Sequence, residues 1–182
     1  MTNYRRARIP GVKYFFTVAL ADRESDLLIR RIHALRRAFA QTLAERPFWC
    51  DACVVLPNHL HTVWTLPPGD ADFSTRWGAI KSRFTRDVKP SGRMGLNPIL
   101  RSRSKVSKGD AGVWQRRFWE HCIRNEEDYR RHMAYCWYNP VKHGLSGSAV
   151  DWPYSSIHRD IRAGRVAPGW SGACEQGEFG EP

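Results

Sequence analysis

Apolar and polar positions follow two different periods along this chain. The run 14–20 is β-branched and aromatic, the composition of a strand. In the segment SDLLIRRIHALRRAFAQTLAE, residues 25–45, Leu28, Ile32, Leu35, Phe39 and Leu43 recur at three- and four-residue steps. That spacing predicts an amphipathic helix with a basic outer face and Ser25 at its N-cap. Residues 48–56 and 60–66 read as two more strands. Only Pro57-Asn58 turns the chain between them, which makes them antiparallel neighbours in a hairpin. Phe73, Trp77, Ile80 and Phe84 return to the helical period and predict a second helix over 73–88. A last strand is expected over 113–123, and a last helix over 126–139, capped by Asn125 and stopped ahead of Pro140.

The order is β-α-β-β-α-β followed by a further helix, the split βαβ pattern of an α+β, ferredoxin-like sandwich. With 182 residues and 42% hydrophobic positions, one domain over 1–170 with a single core is expected. Residues 89–112 dissolve into Pro, Gly, Ser, Arg and Lys and read as a mobile basic loop. Residues 171–182 read as a disordered tail.

Charge narrows the partner. Lys and Arg number 29 against 18 Asp and Glu, a net charge of +11, which is the footprint of a polyanion partner, nucleic acid before anionic membrane. YFFTVALA is too short and too polar-interrupted for a signal core or a membrane span, so a cytoplasmic, nucleoid-associated protein is expected. Five cysteines, an odd number, suit reduced thiols. Cys50 and Cys53 form C-x-x-C without a second pair at zinc-ribbon spacing. On a regular strand they would face opposite ways, so they read as core residues, with zinc as a minor alternative.

The stretch VVLPNHLHTVW carries candidate chemistry. On a strand, His59 and His61 share one face while Leu60 and Thr62 take the other, and two imidazoles side by side can hold a metal ion. An isolated H-x-H is equally a pair of surface or hydrogen-bonded histidines. In the late helix, His132, Tyr135 and Asn139 form one stripe, too polar to be core. Taken alone, Tyr135 reads as a packing residue and Asn139 as a stop before proline.

Considered together, YRRARIPGVKYFFTV, VVLPNHLHTVWTLPPGDADFSTRW, WQRRFWEHCIRNEEDYRRHMAYCWYNPVKHG and DWPYSSIHRD resemble the REP-associated tyrosine transposases, relatives of the single-strand HUH transposases. The similarity runs from Tyr4 to Trp170 and is broken mainly by the basic loop. It implies a ferredoxin-like nuclease core, an added C-terminal catalytic helix, a divalent metal on His59 and His61, Tyr135 as nucleophile and Asn139 at the third ligand position. The implied activity is metal-dependent single-strand DNA cleavage and strand transfer through a 5′-phosphotyrosyl intermediate. The implied substrate is a palindromic, REP-like hairpin with a short single-stranded flank, and the branch resembles monomers, a dimer remaining open.

Residue types fit that chemistry. A phosphodiester needs charge neutralised on its non-bridging oxygens and a nucleophile in line with the leaving group. Two imidazoles and an amide oxygen suit exchangeable Mg²⁺ or Mn²⁺. A phenol, with an ordinary pKa of about 10, needs activation, for which the metal and Lys142 are the candidates. Arg5, Arg6, Arg8, Lys81, Arg101, Arg103, Arg116 and Arg117 are candidate phosphate contacts, with Tyr4, Trp77, Trp114 and Trp119 as candidate stacking surfaces, each of which taken singly reads first as a core residue. Two rivals stand beside this reading. One is a catalytically dead ferredoxin-like nucleic-acid-binding module, whose RNA-binding form would expose Phe15, Trp49 or Trp64 for base stacking. The other is a zinc hydrolase drawing ligands from Cys50, Cys53, Cys122 and Cys136. His33, His121, His143 and His158 receive no role.

Overall fold

Strands β1 (Lys13–Ala19), β2 (Trp49–Val55), β3 (His59–Thr65) and β4 (Trp119–Cys122) form one antiparallel sheet in the order β2-β3-β1-β4. The computed structural model describes residues 9–88 and 112–172. The basic loop, the extreme N-terminus with Arg5, Arg6 and Arg8, and the tail from 173 lie outside the described residues. The strand order is that of the expected ferredoxin-like sandwich. Helix α1 (Leu27–Arg30), helix α2 (Ile32–Glu45) and helix α3 (Phe73–Val88) cover one face; helix α4 (Glu126–Lys142), a short 3₁₀ turn (Ala149–Asp151) and helix α5 (Ile157–Arg162) complete the chain.

Both faces of the sheet are buried. Tyr14, Phe16, Val18, Leu60 and Trp64 point into a core with Leu28, Leu35, Phe73, Trp77 and Phe84. Phe15, Ala52, Val54 and Val63 point the other way and pack against Tyr135, Cys136 and Trp137 of α4 and Ile157 of α5. The indoles of Trp64 and Trp77 stack at 4.4 Å in the first core. Arg76 is buried there, bonding the Arg46, Pro47 and Asp72 carbonyls and, at 2.6 Å, the Asp70 carboxylate, so its charge is fully matched. Phe15 and Trp64 are fully buried, and of the three proposed stacking residues only Trp49 is exposed. The open-sheet RNA-binding arrangement is therefore absent.

Several local expectations are corrected. The first helix starts at Leu27 and breaks at Arg31; Ser25 Oγ accepts from the Leu27 N–H rather than serving as N-cap. The first turn follows the hairpin instead, since the Leu28 N–H donates to the Pro57 carbonyl at 3.2 Å. A bulge between Cys50 and Ala52 reverses the alternation of β2, so Cys50 and Cys53 both pack on the α2/α3 core. The last strand is interrupted: Trp114 bridges Leu20 and Trp119 pairs with Thr17, which leaves two residues more on this strand than on β1. Arg116 and Arg117 occupy that interruption and are exposed, because two guanidiniums cannot alternate into buried faces.

Helix α4 runs through Pro140 to Lys142. Its stop is Gly144 (φ 66°), where the Leu145 N–H bonds the Pro140 carbonyl and the Gly144 N–H bonds that of Val141, a Schellman closure. The N-cap was read correctly, with the Asn125 side chain accepting from the Asp128 N–H at 2.8 Å. The outer edge of β2 is covered by the chain after α4: Val54 bridges Ser155, and Val55 N–H bonds the Tyr154 carbonyl.

Because Trp77 fills the first core without a polar role there, Trp77→Ala should cost about 3–5 kcal/mol of stability. A urea titration should show a lower midpoint at an unchanged slope.

Candidate active site

His59 and His61 project from β3 toward α4, on the same side as Val63, their rings 4.9 Å apart at 83°. Both are buried, at 4% and 0% exposure. Each ring is held through Nδ1. His59 Nδ1 meets Asn58 Oδ1 at 2.6 Å. Asn58 is oriented in turn because its amide N–H donates to the Arg23 carbonyl. An oxygen so fixed can only accept, so the proton of His59 sits on Nδ1 and the lone pair on Nε2. His61 Nδ1 lies 2.8 Å from Thr17 Oγ1 on the neighbouring strand. The Nε2 atoms of both histidines are buried and have no hydrogen-bond partner. Both side-chain polar atoms of Asn139 are buried without a partner as well. Orphaned polar groups of this kind are rare in folded proteins, and each costs about 1–3 kcal/mol unless a ligand satisfies it.

Tyr135 and Asn139, one turn apart, share the face of α4 that packs on the sheet. The Tyr135 ring lies 5.1 Å from that of His61 and 5.8 Å from that of Phe15. Lys142 donates to its hydroxyl at 3.4 Å and sits 4.9 Å from its ring centroid. His143, at the end of the helix, brings its ring within 5.2 Å of His59. The stripe His132, Tyr135 and Asn139 is thus buried despite its polarity, with exposures of 5%, 1% and 0%. His132 and Tyr135 in it lie against the His121 and His61 rings of the sheet, so the rule that polar stripes face water does not apply to it.

Electrostatics keep the histidines neutral. Burial, reinforced by the charges of His143, Arg23 and Lys142, holds His59 down to about 3. Burial and the neighbouring His59, His143 and Lys142 hold His61 well below the ordinary imidazole value. Two neutral, oriented imidazoles and an amide, their donor atoms unsatisfied, fit a divalent cation with room left for oxygen ligands. The cysteines are not part of this group. Cys50, Cys53 and Cys122 belong to the opposite core, and among the described residues no cysteine joins a metal-ligating cluster. Of the other helical tyrosines, Tyr129 is pushed up to about 12, chiefly by burial and then by nearby carboxylates, which disfavours a phenolate there.

The candidate phosphate contacts divide. Arg116 and Arg117 are exposed. They lie by register at the end of β1 that pairs with His59. Lys81 is held within the protein, donating to the Gln115 carbonyl at 3.0 Å and lying over Trp114 and Phe118. Trp77 and Trp114 are core residues; Trp119 is half-buried. Arg101, Arg103 and Tyr4 lie outside the described residues. Sequence reasoning assigned no role to Asn58 and Thr17, which orient the two imidazoles. The available signal was the asparagine of the Pro-Asn turn and a lone threonine on the inward face of β1.

Paired imidazoles on an inner strand of a ferredoxin-like sheet thus lie beside a tyrosine of the covering helix. No protein-family model matches the chain. It is 42% identical over 181 residues to the REP-associated tyrosine transposase of Escherichia coli, covering 100% of this chain and 98% of that one. A Haemophilus influenzae protein provisionally given the same description is 41% identical over 172 residues, 94% of each chain. A solved REP-associated tyrosine transposase bound to a REP hairpin superposes with a TM-score of 0.83 at 42% identity, covering 100% of this chain and 98% of its own. The chain belongs to the REP-associated tyrosine transposase family. No helix among the described residues is long and apolar enough to cross a membrane.

The neutral histidines set an acid limit on stability. Their folded values lie below the unfolded value of about 6.5, so below that pH the unfolded chain binds protons that the folded one refuses. Stability is therefore lost as pH falls from about 6.5 toward 3. In chelator-treated protein the pair should contribute a slope approaching ~2.7 kcal/mol per pH unit. Denaturant titrations between pH 6.5 and 4 should show that contribution absent from His59→Gln/His61→Gln.

Proposed function

We propose that the chain is a metal-dependent single-strand DNA endonuclease and strand transferase acting on REP-type hairpins through a 5′-phosphotyrosyl intermediate. The observation that carries this reading is the set of buried, unpartnered donor atoms on His59, His61 and Asn139 beside the Tyr135 ring. These three residues would hold Mg²⁺ or Mn²⁺. When bound, the ion supplies positive charge for the non-bridging oxygens of the scissile phosphate. The hairpin substrate is inferred from the REP hairpin held by the solved relative.

The protein's own residues carry the remaining steps. Lys142, beside the Tyr135 hydroxyl, favours the phenolate through its charge. The phenol proton passes to solvent, the Tyr135 oxygen attacks phosphorus, the bond from phosphorus to the 3′ oxygen breaks, and that oxygen takes a proton from solvent and leaves as a free hydroxyl. The 5′ phosphate stays on the tyrosine. An incoming 3′ hydroxyl then attacks the same phosphorus, loses its proton and releases Tyr135, so the number of phosphodiester bonds is conserved without an external energy source. Tyr135 is buried between α4 and the sheet, so a phosphate reaching its oxygen must open part of that packing. Arg116 and Arg117 contribute phosphate contacts at the same end of the sheet. The protein is read as a monomer acting at the nucleoid.

Removing one oxygen tests the mechanism with almost no change of shape. With a REP hairpin and Mn²⁺, the wild type should form a denaturant-resistant adduct through the 5′ phosphate, and Tyr135→Phe should form none while still binding the hairpin. His59→Ala/His61→Ala should bind and not cleave. An adduct that survives in Tyr135→Phe but is lost in Tyr138→Phe would overturn the assignment. Cleavage that persists in both phenylalanine variants would make a hydrolase of the site.

Charge neutralisation can be read from salt. If Arg116 and Arg117 each contact a phosphate, Arg116→Ala/Arg117→Ala should reduce the slope of log K against log salt by roughly 1.4–1.8. Fluorescence anisotropy with a labelled hairpin measures it.

A further inference from the structure

We propose that His121, Asp128 and His132 form a second divalent-cation site, of the zinc-binding type, which fastens the helix bearing Tyr135 to strand β4. His121 lies on β4, Asp128 in the first turn of α4 and His132 one turn further on. One donor atom from each falls within 4.8 Å of the others. Asp128 Oδ2 is 2.8 Å from His121 Nε2, and Asp128 Oδ1 is 3.0 Å from His132 Nδ1. Tetrahedral zinc, with bonds of about 2.0–2.2 Å, separates its ligand atoms by roughly 3.3 Å. The two carboxylate contacts, made through different oxygens, are a few tenths of an ångström shorter than that spacing, so the side chains need open only slightly to admit the ion.

The donors are set in place by neighbours. The two imidazoles stack at 4.6 Å with 14° between their planes. Trp119 lies parallel to His121 at 5.9 Å, and Phe15 packs on His132 at 4.8 Å. The Asp128 carboxylate also accepts from the Arg124 N–H at 2.9 Å, which holds it at the helix start. Burial raises the Asp128 carboxyl, but bonds from His121 and Arg124 and the two histidines outweigh it, so the carboxylate is ionised below its usual range. Burial, the leading influence on His132, helps keep that imidazole neutral. Without an ion, His132 Nδ1 also donates to the Asp128 carbonyl at 2.8 Å; ligation through Nδ1 moves that proton to Nε2. His121 and Asp128 keep side-chain exposures of 22% and 19%, so an ion and a water as fourth ligand have access.

Two imidazoles and a carboxylate suit zinc, or cobalt as its spectroscopic substitute, better than magnesium. Phe15 lies between this group and the paired histidines, with its ring 5.5 Å from His61 and 4.8 Å from His132. The second site is thus separate from the first and independent of the nuclease reading.

The test removes the first site. His59→Ala/His61→Ala protein, shown to be folded by circular dichroism, is titrated with Co²⁺ and then with Zn²⁺. The expected result is one equivalent of Co²⁺ giving visible d–d absorption, displaced by Zn²⁺, together with a rise in melting temperature on adding Zn²⁺. Adding His121→Gln should weaken binding by at least roughly 100-fold, more than an outer-shell partner would. It should also abolish the thermal shift. Asp128→Asn should do the same, but it disturbs the helix start, so His121→Gln, which caps nothing, carries the decision. Absence of Co²⁺ and Zn²⁺ binding in the folded background would overturn the proposal and leave a hydrogen-bonded triad. Binding unchanged by His121→Gln would overturn it as well.

Discussion

Strand β3 is buried on both faces, and most of the molecule is arranged around that constraint. Leu60 and Trp64 must be covered by α2 and α3, which explains the large aromatic core on that side. His59, His61 and Val63 point the other way and must also be covered, which requires a further element after the ferredoxin-like core. Helix α4 supplies it. A helix that covers imidazoles cannot do so with leucines alone, because buried nitrogen needs either a partner or a ligand. The polar stripe on α4 leaves both Nε2 atoms without a hydrogen-bond partner and sets the tyrosine beside them.

Orientation at the paired histidines comes from residues that do no chemistry themselves. Asn58 fixes His59 from within the turn, and Thr17 fixes His61 from the adjacent strand. Each bond is made at Nδ1, so both Nε2 atoms are left without a hydrogen-bond partner. The arrangement stores a cost, since buried lone pairs forgo water. The packing of two full cores is what makes that cost tolerable.

Helix α4 is secured at both ends. At its start, Asn125 caps Asp128 while Asp128 reaches back to Arg124 and across to His121 on β4. At its end, the Schellman closure at Gly144 terminates the helix just beyond Lys142. Between these anchors the stripe of His132, Tyr135 and Asn139 has little freedom to rotate. The register of Tyr135 against His61 therefore depends on both ends.

The sequence by itself determined the elements and their order, because periods of two and 3.6 are local properties that survive in one dimension. It also determined that His59 and His61 share a face, and its long motifs pointed to the family to which the chain belongs. It misplaced what depends on distant partners. The helix was expected to stop ahead of Pro140, but it runs on to Lys142, with Asn139 and Pro140 both buried. Cys50 and Cys53 were expected on opposite faces, but the bulge at Asp51 reverses the alternation. The polar stripe was expected outside the core, whereas the core reading of Trp77 and Trp114, taken singly, agrees with their burial. Which faces are covered is decided only when the elements meet, and no local pattern encodes it. The grouping of His121, Asp128 and His132 has the same origin: the i, i+4 pair could be read on the helix, but the strand that completes it had to be brought there by the fold.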